Sequence, residues 1–157
     1  MSGIIINPYV FAAGLADIDN VYSMEFDGVD DYVDCGDSTD FTFGNGTTDS
    51  PFSVSAWVYF DSVSGTIGIV SKYGGSSAVQ EWMMYFSSSN IRFLIKDASS
   101  GKSCYVSGGT TLLTGQWYNF VGTYNGVGGG SAGDGIKIYL NGVEETLTVS
   151  NNASYVA

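Results

Sequence analysis

The sequence has no histidine and few basic residues, with five Lys and Arg against sixteen Asp and Glu in a chain of 157 residues. The missing histidine excludes a Ser-His-Asp triad, a Cys-His pair and any histidine-ligated zinc. The formal net charge of -11 repels phosphate groups, so nucleic acid and anionic membrane surfaces are disfavoured as partners. We therefore expect no nucleic-acid partner.

Long apolar runs and cysteines are also scarce. No stretch approaches the roughly 20 apolar residues of a membrane span. The amino end predicts no secretory signal, because Asn7-Pro8 interrupts its short run of three isoleucines. Cys35 and Cys104 are the only cysteines. A bond between them would close a loop of about 70 residues and add roughly 4 kcal/mol of stability, but two small buried thiols are the favoured interpretation.

Aromatic residues (15%) and glycines (22) are abundant, and they accompany strand-like patterns. The longest such pattern is PFSVSAWVYF at 51–60. Its alternate residues share one face of an extended strand and predict a core face: Phe52, Val54, Ala56, Val58 and Phe60. The opposite face mixes serine hydroxyls with Trp57 and Tyr59, which suits either a covered sheet surface or a surface that holds a ligand.

From residue 21 onward, short strands recur between clusters of Gly, Ser and Asn, without any helical period. Residues 22–26 and 32–35 predict a hairpin closed by the turn at 27–31, and Asn141-Gly142 predicts a type I′ turn. The other predicted strands are 66–72, 81–86, 90–96, 102–107, 116–124, 136–140 and 143–149. This pattern predicts an all-β domain over 21–157, a two-sheet antiparallel β-sandwich or jelly roll.

Residues 1–20 form a separate, apolar arm without a clean period. An exposed run such as Ile4-Ile5-Ile6 would favour aggregation, so the arm either packs on its own domain or inserts into a partner. We favour the partner, and interpret 1–20 as a docking arm.

Several blocks that keep one order over roughly residues 21–149 carry a resemblance to a known family. They are YSMEFDG at 22–28, DDYV at 30–33, FSVSAWV at 52–58, SK at 71–72, WY at 117–118, TYNG at 123–126 and IYLNG at 138–142. This series resembles the laminin-G-like jelly roll of the concanavalin A-like lectin/glucanase superfamily. The resemblance implies a two-sheet sandwich of a kind whose members mostly bind glycans or proteins, often with calcium at the rim.

Domains of this type usually continue past the Asn-Gly hairpin into two further strands, and this chain stops at Ala157 without them. The sandwich is therefore expected to be incomplete at its C-terminus. Either the sequence is truncated, or a neighbouring chain completes the edge, which would make a homo-oligomer. The arm at 4–12, IIINPYVFA, resembles the opening of structural proteins from tailed bacteriophages, which implies a virion partner and a place on the virion surface.

Two groups of residues are candidate sites. Sugars stack on aromatic rings, and Trp82, close to the polar loop 74–80, is the aromatic residue least explained by a core pattern. We therefore predict that ligand is bound by Gln80, Glu81, Trp82 and Tyr85. Carboxylates in turns can hold Ca²⁺, although a plain turn is the favoured role for each. The carboxylates concerned are Asp27, Asp30, Asp31, Asp97 and Asp134.

An enzymatic role is disfavoured because the Glu-x-Asp-x-Glu pattern of the glucanase branch is missing. Hydrolysis would be revived by two carboxylates in a shared groove, one with a raised pKa. We predict a non-enzymatic virion structural or adhesion protein with a lectin-like domain that binds surface glycan. The alternative is a carbohydrate-binding or cell-adhesion module of a larger secreted, extracellular protein.

Overall fold

The computed structural model describes residues 2–5, 22–75, 80–97, 100–150 and 155. Eleven strands lie within these residues and form two antiparallel sheets, as the sequence predicts. The strands are β1 (Ser2–Ile5), β2 (Met24–Phe26), β3 (Phe52–Tyr59), β4 (Thr66–Tyr73), β5 (Gln80–Ser87), β6 (Asn90–Asp97), β7 (Lys102–Gly108), β8 (Trp117–Tyr124), β9 (Ile136–Leu140), β10 (Val143–Glu144) and β11 (Leu147–Ser150). Short 3-10 segments cover Thr39–Phe41 and Gly129–Gly135.

The six-stranded sheet has the order β10-β9-β8-β3-β1-β2, and the five-stranded sheet has the order β11-β7-β6-β5-β4. The predicted core face of β3 is confirmed: Ala56, Val58 and Phe60 are buried, and Phe52 and Val54 pack against the core. Phe60 meets Phe86 of the five-stranded sheet with ring centroids 5.2 Å apart. The core therefore lies between the two sheets.

The predicted hairpin at 22–35 is wrong. Residues 32–35 form no strand, and β2 pairs instead with β1, which lies between β2 and β3. Ile4 is opposite Met24 on one side and Val58 on the other, so β1 supplies the ladder bonds that a local hairpin would have made. For residues 2–5, then, the arm packs on its own domain; residues 6–21 lie outside the described residues.

Both cysteines are free, and only one is buried. Cys104 fits the predicted small buried thiol, and burial raises its pKa to about 12. Cys35 is exposed, which corrects that prediction, because residues 32–35 form no strand and pack on nothing that covers them. The Asn141-Gly142 turn is confirmed, since both residues have positive φ. Within the described ranges, no helix is long and apolar enough to cross a membrane.

Candidate functional site

The loop before β3 is folded by its own polar side chains. Asn45 Oδ1 accepts the backbone N–H groups of Thr47 at 3.0 Å and Thr48 at 2.9 Å, which closes an Asx turn. Gly46 lies inside this turn with φ of 84°, a conformation that favours glycine. Gly44 pairs with Asp49 as an antiparallel bridge, so the loop delivers the Asp49 carboxylate to one end of the sandwich.

Aromatic rings anchor this loop to the core. Phe43 stacks on Phe52, with ring centroids 4.1 Å apart and planes 8° from parallel. The indole N–H of Trp82 donates to the carbonyl oxygen of Phe41 at 2.9 Å. Phe52 in turn meets the ring of Tyr124 edge-on at 6.0 Å. The loop is therefore held by the interior of the sandwich and not only by its own turn.

Asp49 lies at the centre of a group of tyrosine hydroxyls. Tyr124 donates to Asp49 Oδ2, Tyr155 donates to Oδ1 at 3.4 Å, and the N–H of Gly128 donates to the Tyr124 hydroxyl at 2.8 Å. Burial raises the pKa of Asp49 above its ordinary value of 3.8, and the two tyrosine hydrogen bonds offset only part of that effect. Burial likewise raises the pKa of Tyr124 and Tyr155, so both hydroxyls stay protonated donors.

A cavity of about 200 Å³ opens beside Asp49, at the end of the sandwich where the loop meets β5, β6 and β8; we call it the rim cavity. Three of its carboxylates come from separate parts of the chain, Asp49, Glu81 and Asp97, and one cation, Lys96, lies among them. Asp49 and Tyr155 also border a neighbouring cavity of about 360 Å³ along the glycine-rich loop 126–129. The remaining lining residues of the rim cavity are Thr42, Phe43, Gly44, Gly46, Phe52, Tyr124 and Tyr155.

A β-bulge turns Glu81 toward this cavity. Lys72 pairs with Trp82 while Tyr73 pairs with Gln80, so Glu81 is the extra residue on β5. Its carboxylate lies 2.8 Å from Lys72 Nζ and accepts the Thr42 hydroxyl at 3.1 Å. Burial alone would lower the pKa of Lys72, but the hydrogen bonds to Glu81 and Asp37 outweigh it and raise that pKa. Glu81 is therefore held at the rim by a fixed cation.

The structure does not bring the four predicted ligand residues together. Trp82 is only 7% exposed and belongs to the core cluster, so the interpretation of Trp82 as the aromatic residue least explained by a core pattern is wrong. The bulge sends Gln80 to the face of the five-stranded sheet that points away from the other sheet, which we call the outer face, and Tyr85 lies there too. Only Glu81 lines the rim cavity. Ligand binding by these residues stays a prediction.

The predicted calcium ligands Asp27, Asp30 and Asp31 do lie together. Their carboxylate oxygens approach within 4.8 Å of one another, and all three residues are exposed. Two of these side chains also fold the turn: Asp27 Oδ1 accepts the N–H of Val29 at 2.8 Å, and Asp31 Oδ2 accepts the N–H of Asp27 at 2.9 Å. Each carboxylate has a second oxygen, so the set fits a hard cation such as Ca²⁺. Asp97 and Asp134 are not part of this cluster.

Asp49, Tyr124 and Tyr155 are the site residues that sequence reasoning missed. The sequence pattern places Asp49 in a polar loop and Tyr124 at the end of a strand, and neither position by itself indicates a site. The only local signal is the Asn45-Gly46 pair, which marks a sharp bend but does not indicate that the next residues reach a cavity.

Comparison with known families agrees with this architecture. A laminin G family model, described as the concanavalin A-like lectin/glucanases superfamily, matches residues 27–156. A search of curated proteins finds no significant match. The matched segment covers both sheets except for β1 and β2. The chain therefore belongs to the concanavalin A-like lectin/glucanases superfamily.

Proposed function

We propose that the chain is a non-enzymatic carbohydrate-binding module whose glycan site is the rim cavity. The observation that carries the proposal is the joint lining of one cavity by carboxylates, tyrosine hydroxyls and aromatic rings. Carboxylates accept hydrogen bonds from sugar hydroxyls, while ring faces pack against the C–H groups of a pyranose. Because Asp49, Glu81 and Asp97 outnumber Lys96, a neutral glycan is favoured over an anionic one.

A glycan array followed by calorimetry with the best neutral oligosaccharide tests the proposal. Glu81→Gln keeps the shape of the side chain but removes its charge, and we expect it to weaken binding by about tenfold, because a charged acceptor bonds hydroxyls more strongly. Glu144→Gln is the matched control, since Glu144 pairs with the exposed Lys137 on the other sheet. Failure of every neutral glycan to bind, or equal loss in both variants, would overturn the proposal.

Hydrolysis is the second candidate function, and one observation favours it. Asp49, whose pKa is raised by burial, shares the rim cavity with Glu81 and Asp97. Each of these carboxylates already has a structural partner: Tyr124 for Asp49, Lys72 for Glu81 and Ser100 for Asp97. Binding without turnover therefore fits better. Release of reducing ends from any oligosaccharide that binds, lost in Asp49→Asn, would establish hydrolysis instead.

For the biological setting we propose display on the surface of a phage-like particle, with the part of the arm after β1, residues 7–20, contacting another virion protein. The support is the resemblance of residues 4–12 to the openings of tailed-phage structural proteins. Deleting all of 1–20 would be a poor test, because it also removes β1 from the sheet. Deleting residues 7–20 keeps Ser2–Ile5, and we expect it to abolish incorporation into particles while leaving the thermal unfolding midpoint and glycan binding nearly unchanged.

A homo-oligomer is part of the same proposal. β4 and β11 are the edge strands of the five-stranded sheet, and such edges can pair with a neighbouring chain. Light scattering of the purified protein distinguishes an oligomer from a monomer of 16.6 kDa. An extracellular carbohydrate-binding or cell-adhesion module is the alternative, and it predicts that the 7–20 deletion changes neither assembly nor glycan binding.

A further inference from the structure

The outer face of the five-stranded sheet carries aromatic and basic side chains in register. Tyr85 on β5 lies opposite Arg92 on β6, and Arg92 lies opposite Ser107 on β7. In the next row, Leu94 lies between Met83 and Tyr105. These side chains are half-buried and alternate with core residues along each strand, so they share the face that points away from the other sheet.

The guanidinium of Arg92, the only arginine in the chain, is held between two tyrosines. Its Cζ lies 5.4 Å from the centroid of the Tyr105 ring, a cation-π distance. Arg92 also lies near the hydroxyl of Tyr85, where it partly offsets the rise in the Tyr85 pKa that burial causes. Its Nε is buried and has no hydrogen-bond partner in the part of the chain that the structure describes. Arg92 is therefore positioned in advance, and because its Nε is buried, an external partner would meet the terminal nitrogens of the guanidinium.

Lys96 extends this basic face further along β6. Its Nζ lies 5.5 Å from the centroid of the Tyr73 ring and donates to Gln80 Oε1. Arg92 and Lys96 thus both contact tyrosine rings, and Lys96 also contacts the amide of Gln80. Neither forms an ion pair with a carboxylate among the described residues, whereas Lys72 and Lys137 both do.

That pairing pattern is unexpected in a chain with sixteen acidic and five basic residues. Acidic side chains are available throughout, yet the two cations of the outer face have none as partners among the residues that the structure describes. Their charge is therefore available to an external anion. The net charge of -11 repels anions in general, so any anion that binds must be recognised locally.

We propose that the outer face is a second binding site, which shares only Lys96 with the rim cavity, and that it takes a sugar bearing a carboxylate. The planar guanidinium of Arg92 matches a carboxylate with two parallel hydrogen bonds. Tyr85, Tyr105 and Tyr73 offer rings for the sugar, as aromatic side chains do in carbohydrate sites. Hydroxyls for the remaining sugar oxygens come from the same face: Ser103 and Ser107 on β7, with Thr148 and Ser150 opposite β7 on β11.

Calorimetry with a short oligogalacturonate tests this proposal, with a neutral cello-oligosaccharide of equal length and a sulfated dextran oligomer beside it. We expect the oligogalacturonate to bind the wild-type protein more tightly than either of the others. Arg92→Gln should weaken that binding by about tenfold. Arg92→Lys should weaken it less, because lysine keeps the positive charge but cannot form two parallel hydrogen bonds to a carboxylate. Lys137→Gln removes the same charge from the other sheet and should change nothing.

A second measurement keeps the proposal testable if Arg92→Gln unfolds. Titrating the isotopically labelled wild-type protein with oligogalacturonate should shift the amide resonances of β5, β6 and β7 around Tyr85, Arg92 and Tyr105. Shifts confined to the rim cavity, or equal weakening in Arg92→Gln and Lys137→Gln, would overturn the proposal. Preference for the sulfated oligomer would overturn the carboxylate assignment. Glu81→Gln should leave oligogalacturonate binding intact, which separates this site from the rim cavity.

Discussion

The rim cavity and the outer face are built in opposite ways. The rim cavity collects residues from a loop, four strands and Tyr155, so its geometry depends on contacts between distant parts of the chain. The outer face needs only the alternation of side chains along β5, β6 and β7 and the pairing of neighbouring strands. One site is therefore a product of the whole fold, and the other is a product of sheet register.

The two regions also differ in charge. Asp49, Glu81 and Asp97 make the rim cavity acidic, while Arg92 and Lys96 make the outer face basic. Lys96 belongs to both, since its side chain lies where the end of β6 meets the rim. A strongly acidic protein can thus present one region suited to neutral sugars and another suited to anionic ones. The two regions are independent if a variant in one leaves the other unchanged.

The largest expected change in stability comes from removing an aromatic ring beneath the rim, and the matched variant removes a ring from the outer face. Trp82→Ala removes a buried ring and the hydrogen bond to the Phe41 carbonyl, and we expect a loss of about 3–5 kcal/mol in the free energy of unfolding. Tyr85→Ala removes a half-buried ring, and we expect a loss of about 1 kcal/mol. Urea unfolding measures both. Equal losses would mean that Tyr85 is as structural as Trp82.

The next effect concerns the cation that holds Glu81. Lys72→Met leaves Glu81 and Asp37 side by side without their shared partner, and we expect a loss of about 1 to 2 kcal/mol in the free energy of unfolding. The matched control is Lys137→Met, which breaks an ion pair of two half-exposed side chains and should leave the urea midpoint unchanged. Neutral glycan binding at the rim should weaken only in Lys72→Met. Weakening in both variants would show a response to net charge alone.

The sequence predicts those features that depend on residues close together in the chain, and it misses those that depend on residues far apart. Alternation along β3, β5 and β8 is local, and it correctly predicts the two-sheet sandwich and the core face of β3. The sequence does not predict β1, because three consecutive isoleucines do not alternate and its partners Met24 and Val58 lie far along the chain. The hairpin predicted for residues 22–35 is wrong for the same reason.

The rim cavity is beyond local reasoning. Tyr124 and Tyr155 are 75 and 106 residues from the Asp49 carboxylate that they bond, and no spacing rule connects them. The bulge at Glu81 reverses the facing of Gln80 relative to the rest of β5, so a strict period of two assigns Gln80 to the wrong side. The role of Trp82 depends on Phe43 and Phe52, which a different segment brings over it.

A smaller effect is the pH dependence that Asp49 gives the rim. Because burial raises the pKa of Asp49 above 3.8, the folded protein keeps this proton at pH values where the unfolded chain has released it. Wild-type stability contributed by this group therefore falls as the pH rises from 3.8 through the folded pKa. Asp49→Asn removes the titration, so the stability of wild type relative to the variant, measured by urea unfolding, should be greatest at low pH. A difference that grows with pH would contradict the assigned burial effect.

The smallest effect is expected from calcium, because Asp27, Asp30 and Asp31 are exposed and lie in a single turn. Weak Ca²⁺ sites, such as those of extracellular modules, have a Kd of about 10⁻⁴ to 10⁻³ M, so we expect millimolar calcium to raise the thermal midpoint only slightly. Asp30→Asn is the informative variant, since the turn is closed by the side chains of Asp27 and Asp31 and stays intact. We expect this variant to lose the calcium shift while keeping the midpoint measured in chelator. If wild type shows no shift either, the three carboxylates serve only the turn. If binding of a neutral glycan instead requires calcium at this cluster, the 27–31 turn is part of the glycan site, together with the loop, the strands and Tyr155 that line the rim cavity.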